Sequence, residues 1–329
     1  MSEAMHGNSV TPKRLALALT AATVITPLAA AAFIIIAIAT GQAAQLSWAG
    51  ISGLLERMVA LGIVSLGQTI AIVAGSIDLS VANLISVCAV MASWLMAGSP
   101  DQIALAVVAV LGIAGFVGLV NGLLVARLSV NPLIATLGTS LILQGLLSTS
   151  FNNFTGSVPT IYQFFAYGSI GPMPTSVVTL AVLTIGVWIL LRRSVFGAHL
   201  YAVGGNIAGA RLAGIRTERV VILAHVLTSL LAGIAGLYLA ARLGSGAPWV
   251  GKDGLYDLES IAVVVIGGTL LAGGKGGVGG TLAGVFLFAV LDAGFNMMGI
   301  DPFLKQMLRG TIVIAAVAVY TCRSKVHVG

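Results

Sequence analysis

Residues 194–219 read SVFGAHLYAVGGNIAGARLAGIRTER and separate two long apolar runs. This stretch carries three arginines, a glutamate and a histidine, and Arg192 and Arg193 stand directly before it. Because charged side chains are costly in hydrocarbon, the stretch predicts a loop at a membrane face, at about 192–219. The rest of the chain is then expected to cross the membrane on either side of this loop.

A short helix is predicted inside the loop. Asn206 is a residue type that caps helix N-termini and Gly214 one that follows helix C-termini, so about two helical turns are expected between them. Ala208, Leu212 and Ile215 are expected on one side of this helix. A short helix with an apolar stripe at a membrane edge is suited to docking in a groove of another protein, whereas a solvated basic loop is the alternative.

The composition indicates the fold class. The chain is 58% hydrophobic and 8% charged, far from the roughly 25% charged residues of a soluble domain. We therefore predict an all-α, polytopic integral membrane protein of about ten transmembrane helices, formed by residues 1–329 as a single domain. A net charge of +6 then concerns membrane orientation and not nucleic acid. Cys88 and Cys322 indicate neither a disulfide framework nor a metal site.

The apolar runs are the candidate spans. They lie near residues 15–39, 57–75, 79–98, 102–126, 133–151, 174–191, 219–241, 258–273, 278–298 and 303–321. The first run is too long for the core of a cleaved signal peptide, so a retained helix is expected there. The second and third runs, and the eighth and ninth, are each either full spans or a broken pair.

The basic residues orient this map. With the N-terminus inside, eleven of the 16 lysines and arginines lie inside, which obeys the positive-inside rule. The five that lie outside are Arg57, Arg242, Lys252, Lys305 and Arg309. Both termini and the loop at 192–219 are then cytoplasmic, and the uncharged connection at about 151–174 faces outside.

Two Asx-Pro steps suggest an internal repeat. Asn131-Pro132 opens the fifth run and Asp301-Pro302 opens the tenth. On the predicted map these two runs point in opposite directions. Two inverted five-helix halves, a common transporter plan, would produce this pattern.

Two acidic residues lie deep in apolar sequence. Asp78 stands between the second and third runs, where Asp78 or Ser80 can cap the helix that follows, and this structural role is favoured over a proton or substrate site. Asp292 lies in the ninth run, and Lys305 and Arg309 are its candidate partners in an ion pair.

Uncharged polar side chains within the spans are candidates either for a solute pathway or for joining helices to one another. Those singled out are Asn83, Thr136, Thr139, Gln144 and Asn296, with Gln68, Asn121 and Ser140 as further members. Catalysis has little support, since His225 stands alone in the seventh run and no nucleophile motif is present.

No nucleotide-binding motif is recognised. Residues 274–279 satisfy G-x-G-x-x-G but lie between two membrane runs and not between a strand and a helix. Gly276 follows Lys275 where a Walker A loop requires Ser or Thr. The chain is therefore expected to bind no cofactor and no metal itself, and ATP-driven transport would require an ATPase on another polypeptide.

Five stretches resemble the permease subunits of bacterial ABC importers for monosaccharides, the ribose type. They are 75–84 (GSIDLSVANL), 131–140 (NPLIATLGTS), 201–215 (YAVGGNIAGARLAGI), 261–280 (IAVVVIGGTLLAGGKGGVGG) and 301–310. Ser76 and Ala82 stand where that family usually has glycine, and Gly209 stands where alanine is usual.

The resemblance implies partners and a mode of action. Such permeases work as a pair in the bacterial inner membrane, bind cytoplasmic ATPases that use ATP and Mg, and receive sugar from a periplasmic or lipid-anchored binding protein. The segment that meets the ATPase in that family matches Gly205, Asn206, Ala210, Arg211, Leu212, Gly214 and Ile215. The predicted function is monosaccharide import, with a permease for branched-chain amino acids or nucleosides, or an ion-coupled secondary transporter using Asp78 or Asp292, as alternatives.

Overall fold

The computed structural model describes residues 13–151 and 153–325, and these residues form an almost entirely helical bundle. The longer helices are α1 (Lys13–Ala39), α2 (Trp48–Val73), α3 (Val81–Met96), α4 (Ile103–Ala126), α5 (Pro132–Ser150), α7 (Thr175–Arg193), α10 (Thr217–Leu243), α13 (Val278–Met297) and α14 (Pro302–Lys325). The shorter ones are α6 (Thr160–Tyr167), α8 (Val195–Gly205), α9 (Ile207–Leu212), α11 (Val250–Asp253) and α12 (Tyr256–Ile266). Two 3₁₀ turns, Ala43–Leu46 and Pro100–Gln102, and a hairpin of β1 (Ser169–Ile170) and β2 (Met173–Pro174) complete the fold.

The predicted all-α membrane fold is confirmed. Each of the ten predicted runs falls on a helix, and among the described residues seven helices are long and apolar enough to cross a membrane. The third run forms a helix of only 16 residues, α3. The eighth run, 258–273, is a broken span, because α12 ends at Ile266 and the glycines that follow it leave helical geometry, as at Gly268 with φ +90°.

Three helices form the centre of the bundle. Buried residues make up 56% of the most apolar window of α2, 67% of that of α10 and 61% of that of α13, against 17% for α1 and 22% for α7. Close glycine contacts join α10 and α13 to neighbouring helices. A Cβ added to Gly118 of α4 would lie 2.7 Å from the His225 carbonyl oxygen of α10, and one added to Gly284 of α13 would lie 2.2 Å from the Val263 carbonyl oxygen of α12. Small residues therefore permit backbone-to-backbone packing, as in many membrane bundles.

The packing repeats between the two halves of the chain. α10 packs against α2, α3 and α4, and α2 packs correspondingly against α10, α12 and α13. α5 contacts α3, and α14 contacts α12 in the same way. The local geometry before the two Asx-Pro steps also matches. Ser129 and Gly299, each two residues ahead of its Asx, have φ of +55° and +65°, and Asn131 and Asp301 each accept the N–H two residues later. These correspondences are those expected of two related five-helix halves.

The connections gather at two ends of the bundle. We call one the α9 end, where segments 74–80, 194–216 and 267–277 meet through contacts such as the hydrogen bond from Gly274 N to Val73 O, 2.9 Å. We call the other the α6 end, where segment 153–174 meets the residues after α10, as in the paired backbones of Thr155 and Gly246.

Candidate coupling helix and buried polar centre

The predicted short helix is present as α9, with the predicted caps. The Asn206 side chain accepts the N–H of Gly209 at 3.0 Å, which satisfies one of the free donors at the helix start. Gly214, at φ +79°, closes the helix, with Gly214 N donating to Arg211 O and Ile215 N donating to Ala210 O. This pair of bonds is a Schellman motif, for which glycine is the favoured residue.

The apolar side chains of this region divide between two faces. Ala210 is buried and Ile215 packs against the core, whereas Leu212 is 90% exposed. The prediction that Ala208, Leu212 and Ile215 share one side is wrong, because α9 ends at Leu212 and the turn at Gly214 directs Ile215 inward. A leucine presented this far into solvent at the tip of a loop is a candidate contact for another protein.

Further contacts fix α9 and α8 to the bundle. Arg211 Nε donates to Thr217 Oγ1 at 3.0 Å, and Thr217 is a buried residue at the start of α10. On α8, Tyr201 OH donates to Gly276 O at 2.9 Å. Burial raises the pKa of the Tyr201 phenol, so it remains a donor throughout the physiological range. Gly205 is exposed, with open space where a Cβ would lie.

Asp78 is the centre of a buried polar cluster near the α9 end. One carboxylate oxygen accepts bonds from Ser80 N, at 2.9 Å, and Ser80 Oγ, at 2.6 Å. The other lies 3.4 Å from His225 Nδ1, while His225 Nε2 lies 2.9 Å from Ser76 Oγ. All four side chains are buried, and Asp78 and His225 are both 0% exposed. The sequence predicts an isolated His225, and this prediction is wrong. The His225 side chain reaches from α10 to the break between α2 and α3.

The cluster extends to α4 and α5 through uncharged side chains. Asn121 Nδ2 donates to Ser80 Oγ at 2.9 Å, and Thr139 Oγ1 donates to Asn121 Oδ1 at 2.6 Å. Leu79 N donates to Thr136 Oγ1 at 3.1 Å. Ser80 precedes α3 as its N-cap residue, but its hydroxyl is used in this network and does not cap the helix.

The remaining uncharged candidates lie nearby on the same helices. Asn83 Nδ2 donates to Ser140 O and to Ser140 Oγ, at 3.0 and 2.9 Å, and so joins α3 to α5. Gln144 is half-buried on α5, and no hydrogen bond connects it to the described part of the chain. Gln68 is fully buried on α2, and neither its Oε1 nor its Nε2 has a hydrogen-bond partner among the described residues. With the exception of Gln68 and Gln144, the candidate side chains bind other protein groups, which favours a role in joining helices.

Asp292 belongs to a separate ionic cluster at the α6 end. Its oxygens pair with Arg309 and, at 3.0 Å, with Arg57 Nη1. Arg309 Nη1 also lies 3.1 Å from Glu259 Oε1, an ionic contact without hydrogen-bond geometry. Of the two candidate partners on α14, Arg309 therefore meets Asp292, whereas Lys305 donates to Asn296. Arg57, from α2, and Glu259, from α12, were not singled out by the sequence.

The glycine-rich segment 267–277 is used to pack against the rest of the chain. Gly274 N donates to Val73 O and Leu270 N donates to Lys275 O. The segment joins α12 to α13, so the strand that precedes a dinucleotide-binding turn has no counterpart here. Within residues 13–151 and 153–325, no three His, Cys, Asp or Glu side chains are grouped as metal ligands.

Comparison with known proteins places the chain. The family model described as branched-chain amino acid transport system / permease component matches residues 50–317. The chain belongs to this permease family. Ribose import permease protein RbsC of Bacillus subtilis (strain 168) is 33% identical over 270 residues, which cover 81% of this chain and 83% of that protein.

The names of two further relatives refer to other sugars. Galactose/methyl galactoside import permease protein MglC of Escherichia coli (strain K12) is 31% identical over 293 residues, with coverage of 83% of this permease and 86% of the relative. Fructose import permease protein FrcC of Rhizobium meliloti is 34% identical over 275 residues, with coverage of 81% and 76%. No solved structure matches the chain. The resemblance drawn from the five sequence segments is confirmed.

Proposed function

We propose that this chain is the membrane-spanning permease subunit of an ABC importer that carries a monosaccharide into the cytoplasm. The observation that carries the proposal is α9, a capped helix with Leu212 exposed at its end, placed where the family resemblance puts the contact with the ATPase. The sugar names of three relatives support the substrate class.

The proposal includes the partners of the permease. A second copy of the chain forms the pathway with it, a cytoplasmic ATPase uses ATP and Mg, and a periplasmic or lipid-anchored binding protein delivers the sugar. The chain spans the bacterial inner membrane, surrounded by lipid, with the α9 end and both termini in the cytoplasm. The positive-inside rule supports this orientation, because Arg192, Arg193, Arg211 and Arg216 lie at or beside the α9 end.

ATPase coupling is assigned to Gly205, Asn206, Ala210, Arg211, Leu212, Gly214 and Ile215. Asn206 and Gly214 define the two ends of α9, Ala210 and Ile215 fix it to the core, and Leu212 faces outward. ATP-driven closure of the ATPase pair would displace α9, and the packed helices would carry the displacement towards the pathway.

Substrates other than sugars remain a second candidate for one reason. The description of the matching family model names branched-chain amino acids. An ion-coupled mechanism has less support, because the Asp78 carboxylate is 0% exposed and bound by Ser80 and His225, and Asp292 is paired with two arginines. Both acids are therefore better suited to holding helices together than to binding an ion reversibly.

Transport by purified components tests the proposal. Vesicles that contain the permease, its ATPase and its binding protein should accumulate a labelled monosaccharide only with ATP, and should not accumulate labelled leucine or a nucleoside. Vesicles that contain the permease alone should show no uptake under a proton or sodium gradient. Gradient-driven uptake by the permease alone would refute the proposed mechanism.

A further inference from the structure

The end of α8 makes backbone contact with two places where the bundle's helices are interrupted. One is the break between α2 and α3, and the other is the break between α12 and α13. A Cβ added to Gly204 would lie 1.8 Å from the Val73 carbonyl oxygen and 2.7 Å from Gly274 N. Real Cβ atoms do not approach other atoms this closely, so only glycine fits. Gly204 is two residues ahead of Asn206, the N-cap of α9. The start of α9 is therefore tied closely to the end of α2 and to segment 267–277.

Near Gly204, the two breaks also contact each other. Gly273, at φ +88°, would place a Cβ 2.8 Å from Gly204 O and from the Cα of Gly75. Gly274 N donates to Val73 O at 2.9 Å. We call Gly75, Gly204, Gly273 and Gly274 the glycine junction. The glycine junction joins segment 194–216, the α2–α3 break and the α12–α13 break through main-chain atoms.

The junction is adjacent in sequence to the buried polar centre. Gly75 is followed by Ser76, whose hydroxyl contacts His225, and His225 contacts Asp78. The route from α9 to Asp78 therefore consists of one backbone contact and two side-chain contacts. Displacement at a backbone contact cannot be absorbed by a change of rotamer, because no side chain lies between the two main chains.

A cavity beside α9 leaves space for this helix to move. A cavity of about 270 Å³ lies beside it, lined among others by Ser76, Asn131, Ile207, Arg211 and Thr217. Beyond its closely packed beginning, α9 is held by the side chains of Arg211 and Ile215 and borders this cavity. Side-chain contacts can adjust by a change of rotamer, so α9 can move more along its length than at its N-terminal end.

We infer that the glycine junction transmits the displacement of α9 to segments 74–80 and 267–277 together, and through Ser76 to the Asp78 centre. Gly75, Gly204, Gly273 and Gly274 are therefore positioning residues for transport, in addition to the residues that contact the ATPase. This inference rests on the proposed function. The two breaks lie in different halves of the chain, so the junction links both halves to the start of α9.

Alanine at Gly204 tests the contact without imposing a strained backbone, because Gly204 lies within α8. We expect Gly204→Ala to reduce ATP-driven sugar uptake by about tenfold, within the range of coupling changes seen for single substitutions. Basal ATP hydrolysis and recovery of the complex with its ATPase should stay close to those of the unaltered complex, which a general folding defect would not allow. Gly279→Ala is the matched control, because Gly279 lies near the start of α13 with open space around it.

A second variant covers the case in which Gly204→Ala fails to assemble. Tyr201→Phe removes only the hydrogen bond from α8 to Gly276 O, and it introduces no clash. It should reduce uptake by about threefold, again without loss of basal ATP hydrolysis. Hydrogen exchange in the assembled complex then supplies a direct readout. ATP should change the exchange of amides in 74–80 and 267–277 together, and the change should be smaller in the variants than in Gly279→Ala.

The outcomes separate the two proposals. Full uptake by Gly204→Ala, or by Tyr201→Phe where Gly204→Ala does not assemble, would overturn the inference and leave the proposed function intact. So would ATP-dependent exchange confined to one of the two segments. Absence of ATP-driven uptake by the unaltered complex would refute the proposed function and this inference with it.

Discussion

Asp78 and His225 lie 3.4 Å apart between a carboxylate oxygen and Nδ1, although 146 residues separate them in the chain and both are 0% exposed. The contact joins the break between α2 and α3 to the central helix α10. Each side chain has a further partner, Ser80 for Asp78 and Ser76 for His225. Buried polar groups with complete sets of partners stabilise one arrangement of helices, because any other arrangement leaves them without hydrogen bonds.

Replacing Asp78 by alanine should therefore destabilise the permease. Three buried donors, Ser80 N, Ser80 Oγ and a His225 nitrogen, would lose their acceptor, and each buried group left without a partner costs about 1–3 kcal/mol. Thermal inactivation of the detergent-purified chain should occur at a lower temperature. Asp101→Ala, at an exposed acid between α3 and α4, is the control and should leave the midpoint unchanged. Equal midpoints for the two variants would contradict the role given to Asp78.

Leu212→Asp should separate the permease from its ATPase. Leu212 is 90% exposed, and a side chain that forms the hot spot of an interface costs about 2 kcal/mol or more when it is lost, so ATPase binding should weaken by at least about tenfold. The chain should still insert in the membrane, because Leu212 makes no part of the core. Co-purification of the ATPase and ATP-driven uptake measure the effect. Leu128→Asp, at a leucine that is 68% exposed between α4 and α5, is the control, and an equal loss in both variants would argue against a specific contact at α9.

Arg211→Glu should uncouple ATP hydrolysis from transport. The substitution removes the hydrogen bond to Thr217 that ties α9 to α10, and it reverses a charge on the surface assigned to the ATPase. Uptake should fall while the amount of protein in the membrane stays the same. Thr217→Val, which removes only the acceptor of that bond, shows how much of the effect comes from the internal contact. Normal uptake by Arg211→Glu would remove the basis for placing coupling at α9.

Arg309→Met should destabilise the α6 end. Arg309 is paired with both Asp292 and Glu259, and its loss leaves Glu259, with a side chain only 8% exposed, without a cation. Removing one member of a fully buried pair costs about 3–5 kcal/mol. Because Arg309 is itself 26% exposed, the loss should be smaller, but the inactivation temperature should still fall. Lys305→Met is the control, since Lys305 is bonded only to the exposed Asn296 and surface contacts contribute about 1 kcal/mol or less. A larger effect for Lys305→Met would show that the cluster is wrongly assigned.

Much of the helical architecture is predictable from sequence because hydrocarbon imposes a simple requirement. Long apolar runs such as those of α2 and α10 must be helices in a membrane, and polar residues between them must lie at its faces. The ends of α9 are equally predictable, because Asn206 and Gly214 act through local backbone hydrogen bonds. Such contacts join residues that are close in sequence, so the local pattern of residue types predicts them.

The polar centre was less predictable because it depends on distant contacts. Asp78 was recognised, but its partner His225 lies in another helix and has no fixed spacing from it. The one available signal is depth, since both residues lie near the same end of the predicted spans. The orientation of Leu212 and Ile215 on opposite faces was missed because it depends on where the Gly214 turn directs the chain. Gly204 gave no signal beyond its residue type, since its close contacts come from two segments that are distant in sequence.

ATP-driven uptake of a labelled monosaccharide by vesicles containing this permease, its ATPase and its binding protein tests the account most directly. Uptake should require all three proteins and ATP, should fall with Leu212→Asp, and should remain with Leu128→Asp. Accumulation of the sugar by the permease alone, driven by an ion gradient and unaffected by Leu212→Asp, would contradict the account.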